Sequence, residues 1–93
     1  MDLGSSGIQL ISEAPSYAMF ARDNLVALVE RTPHGYGSIG STGVWTERGL
    51  AYLLWREGQA FLSGKGFEDK ASEEQVSAVR QFSADLMAII GHR

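Results

Sequence analysis

The chain contains no cysteine among its 93 residues. Disulfide bonds and thiolate metal sites are therefore excluded. A domain of this length buries only about 60–65 % of the surface that its unfolded chain exposes, so its core is marginal. Small domains without disulfides or metals commonly gain buried area from a partner subunit. The absence of cysteine thus makes self-association the first property to consider.

Basic residues are also scarce. There are 8 Lys and Arg residues against 11 Asp and Glu, the net charge is −3, and no two basic residues are adjacent. Nucleic-acid binding requires a concentrated basic surface, so we expect no nucleic-acid partner. No apolar run reaches the length of a membrane span, and the N-terminus lacks the features of a secretory signal. We therefore expect no membrane partner and a cytoplasmic location.

Histidine occurs only twice, at His34 and at His92 near the C-terminus. With no cysteine and no tight cluster of carboxylates, this content does not predict a transition-metal site. We expect no metal and no cofactor. Whether the protein is an enzyme stays open at this stage, with a non-catalytic role favoured.

The longest apolar run is Leu50–Trp55, and it predicts the centre of a small sheet. Arg56–Gly58 follows it and then a second apolar patch, 60–62, which is typical of a hairpin with a three-residue loop. Similar tripeptides occur at Glu47–Gly49 and Arg22–Asn24. A helix from 46 to 57 is the alternative, but it would carry Gly49 in its first turn, and glycine destabilises a helix.

The first third of the chain is less decisive. Residues 1–7 are small and polar, which predicts a disordered segment ahead of a single domain spanning 8–93. Residues 8–12 suit a short edge strand, which Pro15 would end. Residues 16–31 are compatible with a hairpin around 22–24 or with a helix, and the sequence leaves this choice open.

The C-terminal segment gives the clearest pattern. Ser72 and Gln75 have the spacing of a capping box, in which each side chain bonds the other's free backbone amide. Apolar residues then recur every three or four positions, at Val76, Val79, Phe82, Leu86, Ile89 and Ile90. This stripe predicts an amphipathic helix over 73–90.

Together these segments predict an α+β fold: an antiparallel meander of four to five strands with the C-terminal helix packed on one face. Three-residue loops give a register in which two apolar sets form, one on each face. One set is Trp45, Leu53, Trp55 and Phe61; the other is Val44, Leu50, Tyr52, Leu54 and Leu62. One helix covers only one face, and the sequence does not say which. We therefore expect the first set, Trp45, Leu53, Trp55 and Phe61, to form an interface.

The glycine-rich segment 32–43 is the other candidate site. Residues 35–40 match the G-x-G-x-x-G motif. The strand before it and the helix after it that a dinucleotide-binding turn requires are not predicted here, so an ordinary loop is favoured. Glycines still allow a ligand to approach the backbone closely. His34 and Tyr36 would then be polar contacts, with Ser38 and Ser41 as hydrogen-bond donors.

Two functions follow from these patterns. The favoured one is a non-catalytic binding or assembly module that acts as a homodimer or higher homo-oligomer through an apolar sheet face. The alternative is a small-ligand binder or minor enzyme that uses the segment 32–43.

Overall fold

A computed structural model describes residues 7–90 as one antiparallel sheet of seven strands followed by one helix. The elements are β1 (Gln9–Glu13), β2 (Tyr17–Arg22), β3 (Leu25–Thr32), β4 (Gly35–Thr46), β5 (Gly49–Arg56), β6 (Gln59–Gly64), β7 (Phe67–Lys70) and α1 (Glu73–Ile90). The strands lie side by side in chain order, from β1 to β7. The α+β meander is confirmed, with seven strands rather than four to five. Positions 1–6, where a disordered segment is predicted, lie outside the described residues.

The strand residues that the sequence missed, β7 and the first part of β4, come from segments that have weak strand propensity. Segment 67–70 is almost entirely charged, and segment 35–43 is rich in glycine, which is depleted in strands. Both become strands because a neighbouring strand supplies backbone hydrogen bonds: β7 pairs with β6, and β4 pairs with β3. The segment 16–31, left open above, is the β2–β3 hairpin.

The three predicted hairpin loops contain two residues each, not three. Arg22 pairs with Leu25, Thr46 pairs with Gly49, and Arg56 pairs with Gln59. In the last of these turns Glu57 has a φ of 53° and Gly58 a φ of 79°. Positive φ at both central residues is the pattern of a type I′ turn, whose twist matches that of the flanking strands.

The shorter loops overturn the predicted grouping of aromatic residues. Removing one residue from a turn moves the following strand by one position and reverses its faces. Trp45 pairs with Leu50, and Phe61 pairs with Leu54, so Trp45 and Phe61 lie on the same side of the sheet. Leu53 and Trp55 lie on the opposite side, because side chains alternate along β5. The prediction that Trp45, Leu53, Trp55 and Phe61 share one face is therefore wrong.

The helix covers the face that carries the small residues. The buried side chains there are Ala18, Phe20, Leu25, Ala27, Val29, Val44, Ala51, Ala60 and Leu62, together with Val79, Phe82 and Leu86 of α1. Four of these sheet residues are alanines, which let the helix approach the strands closely. Phe20 and Phe82 are completely buried and are the largest side chains of this core.

The capping box and the helix form as predicted. Gln75 N–H donates to the Ser72 hydroxyl at 3.0 Å, and Ser72 N–H donates to the Gln75 side-chain oxygen at 2.8 Å. The helix is held to the sheet at its other end by Arg22, which donates to Asp85 at 2.8 Å and lies over the Phe82 ring. The capping box therefore defines the start of α1, and Arg22 attaches its second half to the sheet.

Strand β4 pairs irregularly with β3. Its pairing with β3 shifts register twice, between Ala27 and Val29 and again between Val29 and Arg31. Such shifts are β-bulges, which increase the local twist of a strand. Its pairing with β5 covers only 43–46. Among residues 7–90, the stretch 35–42 of β4 therefore has β3 as its only sheet partner.

Candidate functional site

The side of the sheet opposite the helix, here called the outer face, is an apolar surface that α1 leaves uncovered. Its members follow from the strand register, because paired residues of antiparallel strands lie on the same side. They are Tyr17, Met19, Leu28, Trp45, Leu50, Tyr52, Leu54 and Phe61. Tyr17 and Trp45 are both 48 % exposed, and the other six are half-buried.

One row of paired residues crosses all seven strands at the centre of this face. It runs through Gln9, Ala21, Val26, Gly43, Tyr52, Ser63 and Glu68. Val26 is completely buried although it lies on the side away from α1. Its neighbours in the row, Ala21 and Gly43, are small. The outer face thus buries apolar groups of its own, independently of the helix.

Charged residues lie along one margin of the outer face. Arg56 donates to both carboxylate oxygens of Glu68 at 2.9 Å, and its guanidinium lies 5.1 Å from the centre of the Phe61 ring. The hydrogen bonds from Arg56 hold the pKa of Glu68 below its usual value, and those same bonds raise the pKa of Arg56. Lys70 lies on the same margin, opposite Phe61.

The opposite side of the sheet carries a groove between α1 and the β5–β6 hairpin. Trp55, which is 52 % exposed, forms one wall, and Arg80 of α1 lies 5.4 Å from the centre of its ring. The groove encloses about 540 Å³. Small residues of the hairpin and helix, among them Gly58, Ala60 and Ala84, leave this space open.

The residues predicted to bind a small ligand are spread along β4 and the turn before it. His34 is exposed in the β3–β4 turn, where its backbone N–H donates to the Thr32 hydroxyl at 3.2 Å. Tyr36 is half-buried and packs edge-to-face on Phe20, with 5.3 Å between ring centres. Ser38 and Ser41 are exposed in the irregular part of the strand. Seven extended residues span about 20 Å, so these groups do not surround one cavity. Their role in ligand binding stays a prediction.

Two features of these surfaces escaped the sequence reasoning. Met19 and Leu28 belong to the outer face. Side chains alternate between the two faces along β2 and β3, so a two-residue turn between these strands places both residues there. Arg80 is the neighbour of Trp55, but the sequence offers no signal for it, because the two residues belong to different elements and meet only in the folded chain.

Within residues 7–90 no group of three or more His, Asp or Glu side chains is arranged to hold a metal ion. In the same part of the chain no helix combines the length and apolar character needed to cross a membrane. No protein-family model matches the chain, and searches of curated proteins and of solved structures find no significant match.

Proposed function

We propose that this protein is a non-catalytic binding and assembly module that forms a homodimer through the outer face. The observation that carries the proposal is the set of eight large apolar side chains on the side of the sheet that α1 does not cover. A surface of this kind, with an apolar centre and a charged margin, has the anatomy of a protein interface.

The size of the face supports a dimer. Six strand spacings of about 4.8 Å and six residues of about 3.3 Å each give a footprint of about 29 by 20 Å. Side-chain relief makes the accessible area larger than this footprint. Stable interfaces bury about 800 Å² on each partner, so the outer face supplies most of the area that a dimer needs.

The charges on the face support a second copy as the occupant. A two-fold interface brings the same patch of two subunits together, so a patch of one sign would repel itself. The margin here carries two positive groups, Arg56 and Lys70, and the outer face also carries two negative ones, Glu30 and Glu68. It is therefore neutral in sum and compatible with an identical partner.

The proposal is tested by sedimentation equilibrium with a matched pair of variants. Stable homodimers are formed at about 50 µM. At this concentration the apparent molecular mass of the wild-type protein should be twice the chain mass of 10.1 kDa. Met19→Glu places a charge on the outer face and should give a monomer. Met87→Glu changes the same residue type on an exposed part of α1, where Met87 is 45 % exposed, and should remain dimeric.

Circular dichroism of both variants controls for unfolding. A wild-type chain that is monomeric at this concentration overturns the proposal. So does a folded Met19→Glu variant that remains dimeric.

A further inference from the structure

We propose that the groove between α1 and the β5–β6 hairpin binds a small planar aromatic anion, such as an aryl carboxylate or an aryl phosphate ester. The groove is separate from the outer face, so this proposal does not depend on the homodimer. It also differs from the segment 32–43 considered above, because none of its lining residues belongs to that segment.

The first argument is the space. A volume of about 540 Å³ lies within the range of small-molecule sites, about 300–1,000 Å³. On the helix the lining residues are 73, 76, 77, 80, 81 and 84, which form one flank of α1. The distance from 73 to 84 along a helix is about 16 Å. The groove is thus long enough for a ring system with one substituent at each end.

The second argument is the aromatic wall. Trp55 leaves half of its surface exposed although it lies on the same side of the sheet as the buried core. A half-exposed indole beside small residues offers a flat apolar surface on which a second ring can stack. Ala60, which pairs with Trp55 across the hairpin, is too small to fill the space next to the ring.

The third argument is the charge of Arg80. Four ion pairs join charged side chains in residues 7–90, and Arg80 belongs to none of them. Its guanidinium is instead placed over Trp55. A guanidinium group that has no carboxylate partner can donate two parallel hydrogen bonds to a carboxylate or phosphate.

The opposite end of the groove sets the number of charges on the ligand. Glu73 lies seven residues from Arg80, which is about 10 Å along the helix, and it also lines the groove. A second anionic group at this end would be repelled, whereas a hydrogen-bond donor would be accepted. We therefore infer a ligand with its anionic group confined to the end that contacts Arg80.

Benzoate, phenyl phosphate and neutral benzamide are the probes, added to the full chain labelled with ¹⁵N. The two indole N–H signals give an internal comparison, because Trp55 lines the groove and Trp45 lies on the outer face. Titration with either anion should shift the Trp55 signal and leave the Trp45 signal unchanged. Dissociation constants of about 1 mM are expected for fragments of this size. Benzamide, which has the same shape without the charge, should bind at least about tenfold more weakly.

Two substitutions give opposite results in this titration. Arg80→Gln should weaken benzoate binding at least about tenfold, because the bidentate contact is lost. Glu73→Gln removes a negative charge from the same groove and should strengthen benzoate binding, because the repulsion between the two anions is lost. Both residues are exposed, so both variants should fold, and the Trp45 signal reports whether they do.

The proposal is overturned if neither anion shifts the Trp55 signal at about 10 mM, ten times the expected dissociation constant. Equal binding of benzamide and benzoate, or unchanged binding by Arg80→Gln, overturns it as well. A shift with benzoate alone or with phenyl phosphate alone supports the site and identifies which anionic group it accepts.

Discussion

Single residues fix the geometry of this sheet where a side chain would occupy another residue's space. Gly43 is the clearest case, because it lies in the central row of the outer face, between Val26 of β3 and Tyr52 of β5. A Cβ atom at this position would collide with the backbone carbonyl of Ala51. The close approach of β4 and β5 at their shared end therefore requires glycine.

Replacing Gly43 by alanine should destabilise the protein by about 2 kcal/mol or more, since a backbone collision cannot be relieved by a rotamer change. Gly40→Ala is the matched control: a Cβ there meets only the Leu28 carbonyl oxygen, at an ordinary 3.5 Å. Urea unfolding gives the free energies of unfolding of both variants. Equal free energies of unfolding for the two variants would contradict the packing described at Gly43.

At the scale of elements, α1 has the most complete set of local signals. Its capping box makes both reciprocal hydrogen bonds, and its first turn carries Glu73 and Glu74. Acidic residues in the first turn interact favourably with the helix dipole. Local sequence alone therefore defines where this helix begins.

Ser72→Ala should lower the free energy of unfolding by about 1 kcal/mol, because the hydroxyl that accepts a hydrogen bond from the backbone N–H of Gln75 is lost. Ser77→Ala, at an exposed position inside the same helix, is the control and should be neutral or slightly stabilising, since alanine has the higher helix propensity. Urea denaturation of the two variants, fitted with a common slope, gives the comparison. A Ser72→Ala variant as stable as Ser77→Ala would rule out a contribution from the cap.

The sequence predicted these elements to different depths. It located α1, three of the six turns between strands and the central strands, because capping residues, turn residues and apolar runs are local signals. It missed β7 and the start of β4, since their charged and glycine-rich sequences become strands only through pairing with a neighbour. It also grouped Trp45 and Phe61 with Leu53 and Trp55, which lie on the opposite face. The reason is that Glu47–Gly49 and Arg56–Gly58 are each compatible with a loop of two or three residues, and only the paired strands decide between them.

The candidate sites were predictable only in part. The sequence predicts a sheet with two apolar faces and a single helix. Because one helix covers only one face, the sequence also predicts that the other face remains uncovered. The groove beside Trp55 does not follow from the sequence, because it depends on how α1 is positioned relative to the β5–β6 hairpin. No pattern in either segment encodes that position.

For the whole molecule, the contact between Arg22 and Asp85 joins the two layers. These residues are 63 positions apart and connect β2 to the second half of α1. The hydrogen bond from Arg22, assisted by one from Gln81, holds the pKa of Asp85 below its usual value. The charged form of Asp85 is thus favoured in the folded protein.

This shift predicts a dependence of stability on pH. A carboxyl whose pKa is lowered by folding stabilises the protein above its unfolded pKa, about 3.9 for aspartate, and this contribution is lost as the pH falls through the folded value. Asp85→Asn should therefore be less stable than the wild type at pH 7, and the difference should shrink below about pH 4. Thermal unfolding from pH 7 to pH 2.5 measures it.

Glu47→Gln provides the control for general loss of negative charge. Glu47 is exposed in the β4–β5 turn and makes no ion pair within residues 7–90. The difference in thermal stability between Glu47→Gln and the wild type should be small across the same pH range. A pH-independent difference for Asp85→Asn would contradict the proposed stabilisation by the charged carboxylate.

The strand order also has a consequence for how the chain acquires its structure during synthesis. Because each strand pairs only with the strands next to it in sequence, a nascent chain can add every new strand to the preceding one as soon as it leaves the ribosome. Such local pairing keeps the entropic cost of loop closure small. Helix α1 emerges after all seven strands, and until it docks, the face that carries Phe20 remains open to water. We therefore expect the moments before helix docking to be the period when a newly made chain is most prone to aggregate.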